Sequence, residues 1–130
     1  MNQGKYGNSN SVFFDTYTLY EIAKGGESYR PYASGHRILT TLMNLYELYF
    51  TLMRNGRQKL AEEFIARLES ACIPITVTHI KHAANFRLQH LKKGFSYVDS
   101  LSYTVALSPD IPFLTGDNAF RGFSSVQFVK

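Results

Sequence analysis

The chain has 130 residues, 45% of them hydrophobic and 15% aromatic, which is enough for one domain with a well-filled core. No apolar run approaches the ~20 residues a membrane helix needs, and the opening "MNQGKYGNSNS" lacks the apolar stretch of a signal peptide, so the expected setting is the cytoplasm, with no membrane. A net charge of +4 and a pI near 9.2 favour an anionic partner, while the single cysteine, Cys72, excludes an internal disulfide and reads as a small buried hydrophobe in a reducing compartment.

Residues 1–10 read as a flexible lead-in and residues 11–130 as the domain. Ser11 to Asp15 ("SVFFD") reads as a short buried strand, followed by a helix from Thr16 to Lys24 that Gly25 and Gly26 close. "ESYRPYASG" reads as a loop and Arg37 to Thr40 as a second strand. Thr41 then caps a helix through "LMNLYELYFTLMRN" that Gly56 ends. In "RQKLAEEFIARLES", Leu60, Phe64 and Leu68 share one face and the charged residues lie outside it, as in any amphipathic helix. Ile73 to Ile80 ("IPITVTHI") alternates apolar residues with Thr, which predicts a third strand. "KHAANFRLQHLKK" predicts a helix ending at Gly94, and a further helix begins at Ser96 and stops before Pro109. Ile111 to Thr115 and Ser125 to Val129 read as the last two strands.

Strands separated by helices, with no Asn-Gly or Asp-Gly hairpin between them, predict an α/β domain of three layers, α/β/α, around a mainly parallel five-stranded sheet. In such sheets ligands bind where the strands end, near a switch in strand order. Asp15 leaves the first strand there and Asp117 lies two residues past the fourth. Asp99, three residues after Ser96, has the spacing of a capping box. Glu47 is the only acid in an otherwise apolar helix and shares a polar slice with Asn44 and Arg54, so periodicity alone gives it to water or to Arg54. The basic clusters Arg54, Arg57, Lys59 and Lys81, Arg87, Lys92, Lys93 read as solvated helical faces, and His79 and His82 as structural or surface residues.

Together, "FFDTYTLYEIAKG", "ILTTLMNLYELYF", "SYVDSLSYTVAL" and "IPFLTGDNAF…VQFV" resemble the successive motifs of PIN-domain ribonucleases, in particular the small VapC-like toxins, from Ser11 to Val129. The resemblance implies a site of Asp15, Glu47, Asp99 and Asp117, with the Thr115 hydroxyl supporting the last acid. It implies RNA as substrate, a 5′-phosphate on one product and, for a toxin, an antitoxin whose chain covers the crevice. The segment after Asp117, "Asn-Ala-Phe", departs from relatives that often carry another acid or a Lys there, which bears on a second metal.

Two carboxylates ~4 Å apart repel by about 4 kcal/mol at an effective dielectric near 20, so four in one crevice call for a cation or shifted pKa values. Oxygen-only donors fit Mg²⁺ or Mn²⁺, held by Asp15, Asp99, Asp117 and Glu47, with Glu47 orienting or deprotonating water. Arg54, Arg57, Lys92 and Lys93 are candidate contacts to the RNA backbone. Tyr17, Tyr20, Tyr46 and Tyr49 read first as packing residues, and their helices make a homodimer the expected assembly. Two other readings stay open: a housekeeping RNA-processing nuclease, and a PIN-like module that binds or scaffolds without cutting. A haloacid-dehalogenase site is excluded by Tyr17, where that chemistry needs a second acid, and there is no G-x-x-x-x-G-K-[ST] phosphate loop.

Overall fold

The computed structural model describes residues 10–130, so the expected flexible segment, residues 1–10, lies outside the described residues except for Asn10. The elements are β1 (Ser11–Phe14), α1 (Thr16–Ala23), α2 (Arg30–Gly35), β2 (Arg37–Leu39), α3 (Leu42–Arg54), α4 (Gln58–Leu68), α5 (Val77–Gln89), α6 (Tyr97–Leu107), β3 (Phe113–Thr115) and β4 (Val126–Phe128). Single 3₁₀ turns lie at Glu27–Tyr29, Glu69–Ala71, Leu91–Lys93 and Asn118–Phe120.

All four strands run parallel in the order β2-β1-β3-β4. The chain moves outward from β1 to β2 on one side and from β3 to β4 on the other, so the order switches between β1 and β3. Phe13 pairs with Phe113 and Phe14 with Leu114 across that junction. Successive strand residues point to opposite faces, and the cores divide accordingly. Val12, Phe14 and Leu114 pack with Leu45, Leu48 and Leu52 of α3 and Phe64 of α4. Phe13, Phe113 and Leu39 pack on the other face with Tyr103, Val105 and Ala106 of α6 and with Phe120. Helices therefore cover both faces, as the α/β/α reading requires.

Two expectations are corrected. The sheet has four strands among the described residues, not five: Ile73 to Ile80 is not a strand but an extended connection followed by the first turn of α5. Thr76 caps that helix, its hydroxyl accepting from the His79 N–H at 3.2 Å while His79 Nδ1 accepts from the Thr76 N–H at 3.0 Å. This reciprocal cap outweighs an alternating pattern, and Pro74 has no N–H for a ladder. The Thr40–Cys72 bridge, with the Thr40 N–H donating to the Ala71 carbonyl at 3.1 Å and the Ile73 N–H to the Thr40 carbonyl at 2.8 Å, ties the start of this segment to the sheet's edge. "ESYRPYASG", expected as a loop, instead winds into the Glu27–Tyr29 turn and α2. Cys72 is half-buried rather than fully buried, and burial pushes its thiol up to about 11. No helix among the described residues is long and apolar enough to cross a membrane.

The end of β4 folds back on the loop after β3. The Val129 N–H donates to the Thr115 carbonyl at 2.9 Å, and the buried Tyr29 donates its hydroxyl to the Val129 carbonyl. Gly116 lies beneath this junction. A methyl group there would overlap the Tyr29 hydroxyl and the Tyr17 ring and stand 2.8 Å from the Val129 carbonyl oxygen. Gly116→Ala is expected to cost about 1–3 kcal/mol of stability, as overpacking does; a urea midpoint unchanged from wild type would contradict this placement.

Candidate active site

Asp15 follows the last residue of β1 and caps α1, so its carboxylate is bound into backbone at the moment it leaves the sheet. Its Oδ1 accepts from the Thr18 N–H at 2.8 Å, and its Oδ2 accepts from the Thr115 hydroxyl at 2.5 Å. Thr115 ends β3, the neighbouring strand, and its Oγ1 also accepts from the Asp117 N–H at 3.0 Å. One hydroxyl thus fixes two acids, one through the side chain and one through the backbone. Thr115 was expected to support Asp117; it also grips Asp15. Asp117 itself caps the turn at Asn118–Phe120, its Oδ1 accepting from the Ala119 N–H at 3.0 Å.

Asp99 stands in the first turn of α6 and forms the expected capping box: its N–H donates to Ser96 Oγ at 3.0 Å and its Oδ2 accepts from the Ser96 N–H at 2.9 Å. Glu47 is half-buried on α3 and neither faces water freely nor pairs with Arg54. Its Oε1 accepts from the Thr16 hydroxyl at 2.6 Å, and Arg54 instead lies over the Phe50 ring, 5.4 Å from its centroid.

Behind Glu47 lies a polar network that sequence reading missed. Asn44, fully buried one turn before Glu47, donates from Nδ2 to Thr16 Oγ1 at 3.1 Å and to Ser102 Oγ of α6 at 2.8 Å, and its Oδ1 accepts from the Thr41 hydroxyl at 2.6 Å. It joins α1, α3 and α6 and orients the hydroxyl that holds Glu47. The available signal was an amide one turn before the lone acid on the same slice of an apolar helix.

The electrostatics link these acids in pairs. Burial pushes Asp15 up to about 7 against the lowering effect of Thr115 and Thr18, and the charge of Asp99 adds to the rise. Burial raises Glu47 as well, again with a contribution from Asp99, and burial raises Asp99 with a contribution from Asp117. Asp99 thus acts on Asp15 and Glu47, and Asp117 acts on Asp99. Among the described residues the ion pairs are Lys24–Glu21 at 3.1 Å and Arg30–Glu27 at 3.7 Å, and neither involves these acids. Nor are three His, Cys, Asp or Glu side chains among the described residues gathered tightly enough to enclose a metal by themselves.

The comparisons with known proteins agree with this fold. The family model of the PIN domain matches residues 12–125. The chain belongs to the PIN-domain family. Its fold is similar to that of a toxin–antitoxin complex from Klebsiella pneumoniae, at 15% identity and a TM-score of 0.72 over 89% of this chain and 95% of that one. It is likewise similar to Mycobacterium tuberculosis VapC20, described as a sarcin-ricin loop cleaving toxin (23% identity, TM-score 0.71, 89% of this chain and 98% of that one). A third is VapBC2 from Rickettsia felis, bound to a DNA fragment from its promoter (15% identity, TM-score 0.69, 92% and 99%). Comparison with curated proteins gave no match. In this PIN domain the basic candidates all lie on the surface. Arg54 and Arg57 stand where α3 passes to α4, Arg54 two turns or roughly 10 Å along the axis from Glu47. Lys92 and Lys93 precede α6 and Asp99, with Lys93 over the Phe123 ring at 5.6 Å.

The folded-state value of Asp15 lies above the ~3.9 of an unfolded chain. The folded protein therefore holds the proton more tightly, and the stability this contributes is complete below about pH 4 and is lost as pH rises through about 7. In EDTA, stability should fall across that window by up to about 1.4 kcal/mol per pH unit, and Asp15→Asn should flatten the fall; parallel curves for the two proteins in urea titrations at pH 5, 6, 7 and 8 would refute it. Asn44→Ala should cost about 1–3 kcal/mol, because Thr41 and Ser102 lose a buried partner; the same titrations at one pH measure it.

Proposed function

We propose that this PIN-domain protein is a metal-dependent endoribonuclease, the toxin of a type II toxin–antitoxin pair acting in the cytoplasm. What supports the reading is that one hydroxyl ties Asp15 and Asp117 together at the switch point of a parallel sheet, where α/β folds bind ligands, that the charge of Asp99 acts on Asp15 and Glu47, and that the ion pairs among the described residues involve none of these acids.

The donor set suits Mg²⁺ or Mn²⁺. All the groups are oxygen donors, and each acid keeps free lone pairs after its hydrogen bonds. The looseness of the cluster matches an ion that keeps several waters and takes only one or two carboxylates directly. Asp15, Asp99 and Asp117 would hold it directly or through water, with Glu47 beside them. When bound, such an ion lowers the pKa of water and stabilises charge on phosphate.

The chain's own residues do the rest. Thr115 and the α1 amide fix Asp15, so the central carboxylate does not rearrange when substrate arrives. Glu47, with its pKa raised by burial, is better matched to neutral pH as a base than a solvated glutamate, and Thr16 and Asn44 aim it. It takes the proton of the attacking water. The Lys and Arg residues around the rim draw the RNA backbone in without reading its sequence. Two apolar surfaces support protein partners, an antitoxin and a second copy: the exposed row Leu42, Tyr46 and Phe50 on α3, and a groove of about 380 Å³ between α5 and α6.

The test is RNA cleavage with Mn²⁺ or Mg²⁺, with EDTA, and with Asp15→Asn. The expected result is metal-dependent cutting that EDTA abolishes and that Asp15→Asn lowers about 100-fold or more. Cutting that persists in EDTA would sink the metal-dependent reading. RNA binding without cutting would replace the nuclease with the non-cleaving module.

A further inference from the structure

Lys130 did not stand out in the sequence, and it lies beyond the residues the PIN-domain model matches. Its place in the fold is nevertheless specific. Nζ donates to the Gly116 carbonyl at 3.1 Å, and the ammonium lies 5.2 Å from the centroid of the Tyr17 ring. Gly116 is the single residue between Thr115, which grips Asp15, and Asp117. A positive charge is therefore hydrogen-bonded to the residue that joins Thr115 to Asp117.

The backbone under Lys130 is fixed from three sides. Val129 is held through its N–H by Thr115 and through its carbonyl by Tyr29, and the Lys130 carbonyl accepts from the Ser28 hydroxyl at 3.4 Å. Gly116 lacks the Cβ that would push this junction apart. A lysine normally spends side-chain entropy when it is ordered by a ligand. Here a hydrogen bond and an aromatic face have ordered it beforehand.

The ammonium has three donors, and the Gly116 carbonyl uses one. Among the described residues no ion pair joins it to an acid. Two donors on an exposed, oriented cation beside a carboxylate cluster are suited to an anion that must be brought to that cluster against its repulsion. We propose that Lys130 is a preset phosphate contact: its free donors bind a non-bridging oxygen of the RNA backbone at the edge of the carboxylate site. The inference rests on RNA being the substrate. It adds a residue that positions the strand relative to Asp117.

The experiment measures binding, with cutting switched off. In an Asp15→Asn background with EDTA, the affinity for a short single-stranded RNA is measured between 50 and 300 mM salt for Lys130, Lys130→Gln and Lys130→Arg. Lys24→Gln, which removes a lysine already paired with Glu21, is the control. Lys130→Gln should weaken binding about 3- to 10-fold at low salt and reduce the salt slope by about 0.7, the loss of one phosphate contact to single-stranded nucleic acid. Lys130→Arg should restore both, and Lys24→Gln should change neither. An unchanged slope in Lys130→Gln, with a lowered melting temperature, would show that the lysine only staples residues 129–130 to Gly116; the inference then fails while RNA recognition stands. No RNA binding by any of the proteins would overturn the substrate and the inference together.

Discussion

The structure depends on one short hydrogen bond, from the hydroxyl that ends β3 to the carboxylate that leaves β1. Thr115 and Asp15 stand at the single seam where the order of strands reverses. Stacked Phe13 and Phe113 and the pairing of Phe14 with Leu114 bring the two strand ends level. The sheet supplies the alignment and the hydroxyl uses it. Moving either strand by one residue would turn a core phenylalanine to the opposite face and part the acid from its donor, so packing and site geometry are set by the same register.

Around that bond the protein accepts an electrostatic cost. Each acid is stabilised by a local cap or hydroxyl, yet burial and mutual repulsion still raise Asp15, Glu47 and Asp99. Such unfavourable gatherings are typical of functional sites rather than of structural ones. The same chain keeps its other buried polar groups satisfied, with no unpartnered buried side-chain nitrogen or oxygen among the described residues. The contrast sets these acids apart: each accepts at least one hydrogen bond, and none is in an ion pair among the described residues.

Local chemistry was legible in the sequence. A buried run ending in an acid gave β1 and Asp15, Ser96 with Asp99 gave the start of α6, and Thr41 gave that of α3. Ile73 to Ile80 was misread because alternation is a two-residue pattern, whereas the cap made by Thr76 and His79 is a bond, and bonds decide helix starts. Glu47 was ambiguous for a different reason: helical periodicity says which residues share a slice, and not what lies opposite it. The Thr16 hydroxyl comes from 31 positions away. The bonds of Asn44 and Lys130 are hidden in the sequence on the same grounds, since their partners Ser102 and Gly116 are distant in the chain.

The distance between the two ends of the central bond also shapes when activity can begin. Asp15 and Thr115 are 100 residues apart. Until β3 has been synthesised and has slipped in beside β1, the first acid lacks the Thr115 hydroxyl, the last acid does not exist, and the helices have only the β1–β2 pair to close upon. A half-made polypeptide therefore has its first carboxylate in hand and nothing to hold it in place. For the ribonuclease activity proposed above, the site is therefore completed only by a segment made late in synthesis.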